Sequence, residues 1–154
     1  MAAISASMVK ELRERTGLGM MDCKKALVES DGDMELAIET MRKSSGMKAA
    51  KKAGRIASDG LIGMKAAVDG GKAAMVEINS ETDFVARNES FQTFANAVAV
   101  IALEEKGDID AVMKASYPET GRSVADELTD KIATIGEHMS VRRCTALSVD
   151  NGVV

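Results

Sequence analysis

The chain has 154 residues, with 20 Lys and Arg against 24 Asp and Glu and a formal net charge of −4. That length allows one or two domains, and an apolar fraction of 45% suits a globular core and argues against disorder. The apolar runs are too short and too interrupted to span a bilayer, and the acidic balance disfavours nucleic acid as the main partner.

Charge is uneven along the chain. Residues 1–56 hold 11 Lys/Arg and 8 Asp/Glu, while residues 57–154 hold 9 and 16. This divides the chain into a small basic module, 1–56, and a larger acidic one, 57–154. The first module reads as three helices. Ile4, Met8 and Leu12 recur at four-residue spacing behind Ser5 and Ser7, and the run Thr16-Gly17-Leu18-Gly19 ends that helix. Met20, Cys23 and Leu27 line one face of a second helix. Asp31-Gly32-Asp33 is a turn, with Asp33 a helix cap, and Met34, Ala37, Ile38 and Met41 mark a third helix. Met20 and Met21 are adjacent, so both cannot face the core. One of them, with Leu12 or Leu18 nearby, is a candidate exposed apolar patch; local packing of both is equally compatible with the pattern. Arg42, Lys43, Lys48, Lys51, Lys52 and Arg55 form the densest basic stretch, but no aromatic residue is interleaved for stacking on bases. A solvated basic helix and linker accounts for it.

The second module is mixed. Ile62, Met64, Ala66 and Val68 alternate as one face of a strand, Asp69-Gly70-Gly71-Lys72 is a hairpin turn, and Ala74, Val76 and Ile78 alternate on the return. The strand then breaks at Glu77-Ile78-Asn79-Ser80-Glu81-Thr82-Asp83-Phe84-Val85-Ala86-Arg87-Asn88, and a helix follows Asn88. Its spacing places Phe91, Phe94, Ala95, Val98, Ile101 and Ala102 in the core. Phe84 stands at the corner. Position alone leaves it open between a core side chain, worth roughly 1.5–3 kcal/mol when buried, and one displayed to a partner. Asp83 is open between capping a short helical turn and a functional acid. Pro118 lies in a polar loop, Val124, Leu128, Ile132 and Ile135 mark a further helix ending near Gly136, and 141–149 reads as a third strand. The expected fold is α+β: a three-helix bundle, then an antiparallel three-stranded sheet covered by helices. Asp150-Asn151-Gly152 is a hairpin signal followed by only two residues, so a fragment of a longer protein is expected.

Catalytic inventory is thin. The single histidine, His138, precedes a strand. Cys23 and Cys144 lack metal or redox spacing and read as small apolar fillers in a reduced compartment. No nucleophile motif or phosphate-binding glycine loop occurs, and the acids read as a solvated face. No cofactor and no metal are expected.

Two stretches carry a family resemblance: the twelve residues from Glu77 to Asn88, and Leu12-Arg13-Glu14-Arg15-Thr16-Gly17-Leu18-Gly19-Met20-Met21-Asp22-Cys23-Lys24-Lys25-Ala26-Leu27. In order and spacing they resemble translation elongation factor Ts of the bacterial and organellar type; the likeness is weakest between Lys106 and Arg122. The resemblance implies a ubiquitin-associated-like bundle for the first module. It also implies a guanine-nucleotide exchange factor without covalent chemistry, acting on elongation factor Tu with GDP or nucleotide-free, with no direct nucleic-acid or membrane partner. By resemblance, Asp83 and Phe84, flanked by Thr82 and Val85, insert near the partner's magnesium and nucleotide site. Leu12, Met20, Met21 and Lys24 dock the GTPase domain, and Ile135 and Gly136 form a further contact. The family continues into a second half of its core, so the chain is expected to lack that half. The setting implied is cytoplasmic, or an organellar matrix or stroma. The rival expectation is an interaction module that binds the GTPase without exchanging its nucleotide.

Overall fold

A computed structural model of the chain describes residues 4–154; the first three residues of the amino-terminal module lie outside it. The described residues form seven helices and three strands, an α+β arrangement, and group into two compact units. One unit runs through Lys52 and takes in Thr129–Gly136. The other comprises Ala53–Leu128 and Glu137–Val154.

The first unit is built on α1 (Ala6–Thr16), α2 (Met20–Glu29) and α3 (Met34–Ala50). Their ends follow the capping residues. Ser5 accepts from the Met8 N–H at 3.3 Å, and Asp33 accepts from the Leu36 N–H at 2.9 Å. Gly17 closes α1 in the left-handed region at φ +68°, where its N–H reaches the Arg13 carbonyl. The core gathers Val9, Leu12, Leu18, Cys23, Ala26, Leu27, Ala37 and Met41, with Ile4, Met8, Met34 and Ile38 packed against it. Met20 departs from its expected face. Cys23 and Leu27 are buried, whereas Met20 is the first residue of α2 and its side chain is exposed.

The second unit carries a sheet ordered β1 (Asp59–Ala66), β2 (Lys72–Ser80), β3 (Met139–Ser148), antiparallel throughout. Residues 81–138 separate β2 from β3 and hold α4 (Asp83–Ala86), α5 (Glu89–Glu104), α6 (Ile109–Lys114) and α7 (Val124–Ile135), whose last turns belong to the first unit. Ala74, Val76 and Ile78 of β2 point into the core beneath α5, which buries Phe91, Phe94, Ala95, Val98, Ala99, Ile101 and Ala102. α5 lies so close to β1 that a Cβ on Gly63 would meet the Ala95 carbonyl oxygen at 2.7 Å. The apolar alternation read on β1 belongs to the other face: Ile62 and Met64 are exposed, opposite Glu77 and Met75. Only glycine at 63 lets a helix backbone lie on the strand, so the helix took that side and the larger side chains turned outward. β3 begins at Met139, two residues before the expected start. The short helix α6, capped by Asp108, has no counterpart among the sequence expectations.

Candidate functional site: a displayed phenylalanine and an apolar groove

At the end of β2 the backbone turns into a single helical turn. Asp83–Ala86 make α4, with Thr82 in an extended conformation before it. The capping position is thus Thr82, and Asp83 is the first helical residue. Val85 and Ala86 are buried and anchor the turn in the second unit, which leaves Phe84 on the opposite side, 77% exposed. Phe91 and Phe94 are buried at 1% and 0%, so of the three phenylalanines Phe84 alone is displayed. Burying such a ring elsewhere would be favourable by a few kcal/mol, and an exposed one is available to a partner. Asp83 is also exposed and pairs with Arg87 at 3.0 Å along the same turn. The turn is closed by the Arg87 N–H to the Asp83 carbonyl and by Gln92 donating to the Ala86 carbonyl. Asn88 then caps α5 by accepting from the Phe91 N–H.

Thr82 is held on three sides. Its N–H and hydroxyl donate to the two carboxylate oxygens of Glu137 at 3.1 and 2.7 Å, and its carbonyl accepts from the Ser80 hydroxyl at 3.0 Å. One residue earlier, Glu81 accepts from the His138 N–H and from Arg55 at 3.4 Å. The His138 bond, helped by the Arg55 charge, holds the Glu81 carboxyl below the ordinary glutamate range. Farther along β2, Arg143 and then Asn79 do the same to Glu77, which also meets Arg142. These carboxylates are structural acceptors, which corrects their reading as a merely solvated face. No local pattern announces Glu137 as a partner of Thr82, because the two are 55 residues apart.

The first unit presents a different surface. Ile4, Val9, Met20 and Met21 line an open groove of about 700 Å³ between α1 and α2, edged by Lys10, Arg13 and Lys24. Met20 and Met21 are 56% and 76% exposed, so both methionines, not one, face outward. Leu12 and Leu18 are buried in the core of this unit; Leu12, at 0% exposure, offers no contact area of its own. Val9, Lys10 and Arg13 complete the groove and were not among the sequence candidates. Val85 likewise serves its corner from the core. Ile135 is half-buried, and Gly136, exposed at φ +91°, ends α7 with its N–H on the Ile132 carbonyl.

Other chemistry is sparse. Among the described residues no group of three His, Cys, Asp or Glu could hold a metal ion, and no helix is long and apolar enough to cross a membrane. Both cysteines are free, and burial pushes both thiols up, away from the reactive thiolate.

The family model described as Elongation factor TS matches residues 81–154, starting at the corner before Phe84. The elongation factor Ts of Rhizobium etli (strain CIAT 652) is 56% identical over 154 residues, all of this chain and 49% of that protein. That of Agrobacterium fabrum (strain C58 / ATCC 33970) is 58% identical over the same span and share. That of Rhizobium meliloti (strain 1021) is 58% identical over 151 residues, 98% of this chain and 48% of that protein. The chain spans about half the length of the curated relatives it matches, and it belongs to the elongation factor Ts family.

Proposed function

We propose that this chain acts as a guanine-nucleotide exchange factor on elongation factor Tu, promoting release of GDP without covalent chemistry. The observation that carries the reading is Phe84, 77% exposed at the tip of an anchored turn in a protein of this family. In this reading Phe84 enters the GTPase as a wedge near its magnesium and nucleotide site. Asp83 accepts hydrogen bonds from the GTPase, and Thr82 and Val85 hold the turn from behind. The groove at Met20 and Met21, with Lys24 on its edge, docks the GTPase domain. Ile135 and Gly136 add a contact where a glycine lets backbones come close.

The energetics are those of linkage. A factor that distorts the nucleotide site must itself be bound less tightly when nucleotide is present, by the same free energy. Each tenfold loss of nucleotide affinity requires about 1.4 kcal/mol of differential binding. One aromatic anchor entering a pocket supplies on the order of 2 kcal/mol, so the groove and the corner act together.

Release of a fluorescent GDP analogue from elongation factor Tu, with and without the chain, tests this. Acceleration is expected, and Phe84→Ala is expected to lose at least tenfold of it, the scale of an interface anchor, while still binding. Binding without acceleration by the unaltered chain would overturn the exchange reading and leave a docking module.

A further inference from the structure

We propose that Glu137 and Glu81 are positioning residues, a reciprocal carboxylate clasp that fixes the turn bearing Phe84; its role in exchange rests on the function proposed above. Two consecutive residues leave β2, Glu81 and Thr82, and two consecutive residues enter β3, Glu137 and His138. Each pair supplies one carboxylate and one backbone N–H to the other. Glu81 accepts the His138 N–H, and Glu137 accepts the Thr82 N–H at 3.1 Å and the Thr82 hydroxyl at 2.7 Å. All four residues belong to the second unit.

The arrangement has a specific mechanical effect. Thr82 stands where a capping side chain would ordinarily fold back onto the helix, yet it makes no such bond, because its hydroxyl is committed to Glu137. α4 has only four residues, too few to hold its own shape. Its far end is fixed by the burial of Val85 and Ala86 and by Gln92 on the Ala86 carbonyl. Its near end is fixed by Glu137 and by Ser80 on the Thr82 carbonyl. Phe84 lies between these two anchorages and contributes almost nothing to the core. A wedge deforms its target only if its own base does not yield, so rigidity at Thr82 sets how much of the binding free energy reaches the nucleotide site. Hydrogen bonds to a carboxylate are among the stronger ones, and one carboxylate takes two donors from a single residue here.

Titrating elongation factor Tu loaded with fluorescent GDP separates the saturating release rate from the half-saturating concentration of the chain. Glu137→Gln keeps the side-chain volume but has only one acceptor for two donors. It is expected to lower the saturating rate roughly tenfold, the loss of a charged hydrogen bond, with less than about a twofold change in half-saturation. Thr82→Val, which loses the hydroxyl donor and keeps the N–H, is expected to fall between Glu137→Gln and the unaltered chain. In a Phe84→Ala background Glu137→Gln is expected to add nothing. An unchanged saturating rate in Glu137→Gln, or an equal loss with and without Phe84, overturns the clasp while leaving the exchange reading intact. If the unaltered chain fails to speed release, the exchange reading falls instead. Amide hydrogen exchange on the chain alone then decides the clasp: protected Thr82 and His138 amides, lost in Glu137→Gln and Glu81→Gln respectively, support it. Unprotected amides in the unaltered chain overturn it. Should Glu137→Gln not fold, Thr82→Val breaks the same bond from the other side.

Discussion

Phe84 and Tyr117 are opposite cases of an aromatic residue out of balance with its surroundings. Phe84 has its ring in water, so Phe84→Ala removes little folding free energy. Stability in denaturant is expected to stay within about 0.5 kcal/mol of the unaltered chain even as exchange is lost, and a larger loss would mean the ring is packed. Tyr117 is fully buried, its ring stacked on Phe94 at 5.8 Å, and its hydroxyl finds no protein partner among the described residues. Burial first, and then the charges of Glu119 and Glu127, push its hydroxyl from the ordinary 10.0 up to about 12. The folded state therefore holds this proton more tightly than the unfolded chain does. Its contribution is complete below the ordinary value and is lost as pH rises from there toward about 12. Tyr117→Phe is expected to be as stable as the unaltered chain at neutral pH, or more stable by up to about 1 kcal/mol, and to escape the alkaline loss. Urea midpoints at neutral and at alkaline pH measure both, and a neutral-pH loss above about 2 kcal/mol would show that the hydroxyl is satisfied. At this scale the sequence was readable where an effect is local. Asp33 and Asn88 were legible as helix boundaries because a cap acts within three residues. The partners of Glu81 and Glu137 were illegible because they arrive from across the fold.

Among the elements, α5 was the plainest in the sequence, since a helix with one apolar face announces itself by period alone. β1 shows where period falls short. Alternation tells which residues share a face but not which face meets the helix, and Gly63 decided that. Its Cβ would also come within 3.1 Å of Val76 Cγ1 and 3.3 Å of Ala99 Cβ. Gly63→Ala is therefore expected to push α5 from the sheet and cost on the order of 1–3 kcal/mol, read as a lower melting temperature. A neutral outcome would mean that α5 slides freely over β1. α6 escaped notice because six residues hold fewer than two turns, too short for a period to declare itself.

For the molecule as a whole, the candidate partner contacts divide by unit. The corner at Phe84 lies in the second, while the groove at Met20 and Met21 and the residues Ile135 and Gly136 lie in the first. The two surfaces have different jobs if one docks and the other deforms. Replacing Met20 and Met21 together by serine is expected to weaken binding to elongation factor Tu about tenfold while leaving the saturating release rate nearly unchanged. The reverse pattern, intact affinity with a slower saturating rate, would deny the groove its docking role. The α+β class and the order of elements were legible because each module has its own period. The membership of Thr129–Gly136 in the first unit was not, since nothing in the apolar spacing of α7 marks a change of allegiance partway along the helix.

The insertion of residues 81–138 between neighbouring strands sets an order of events during synthesis. β1 and β2 leave the ribosome together and can pair as a hairpin at once, while β3 arrives only after four helices have been made. Until then β2 offers a bare edge, the kind of backbone that pairs readily with a stray strand. Lengthening such a loop adds only about 0.6 kcal/mol per doubling, so the delay weighs lightly on the finished protein and heavily on the nascent one. Ala74, Val76 and Ile78 of β2, buried in the finished protein, are uncovered at that point as well, which makes the half-built sheet the stage at which this chain most needs protection.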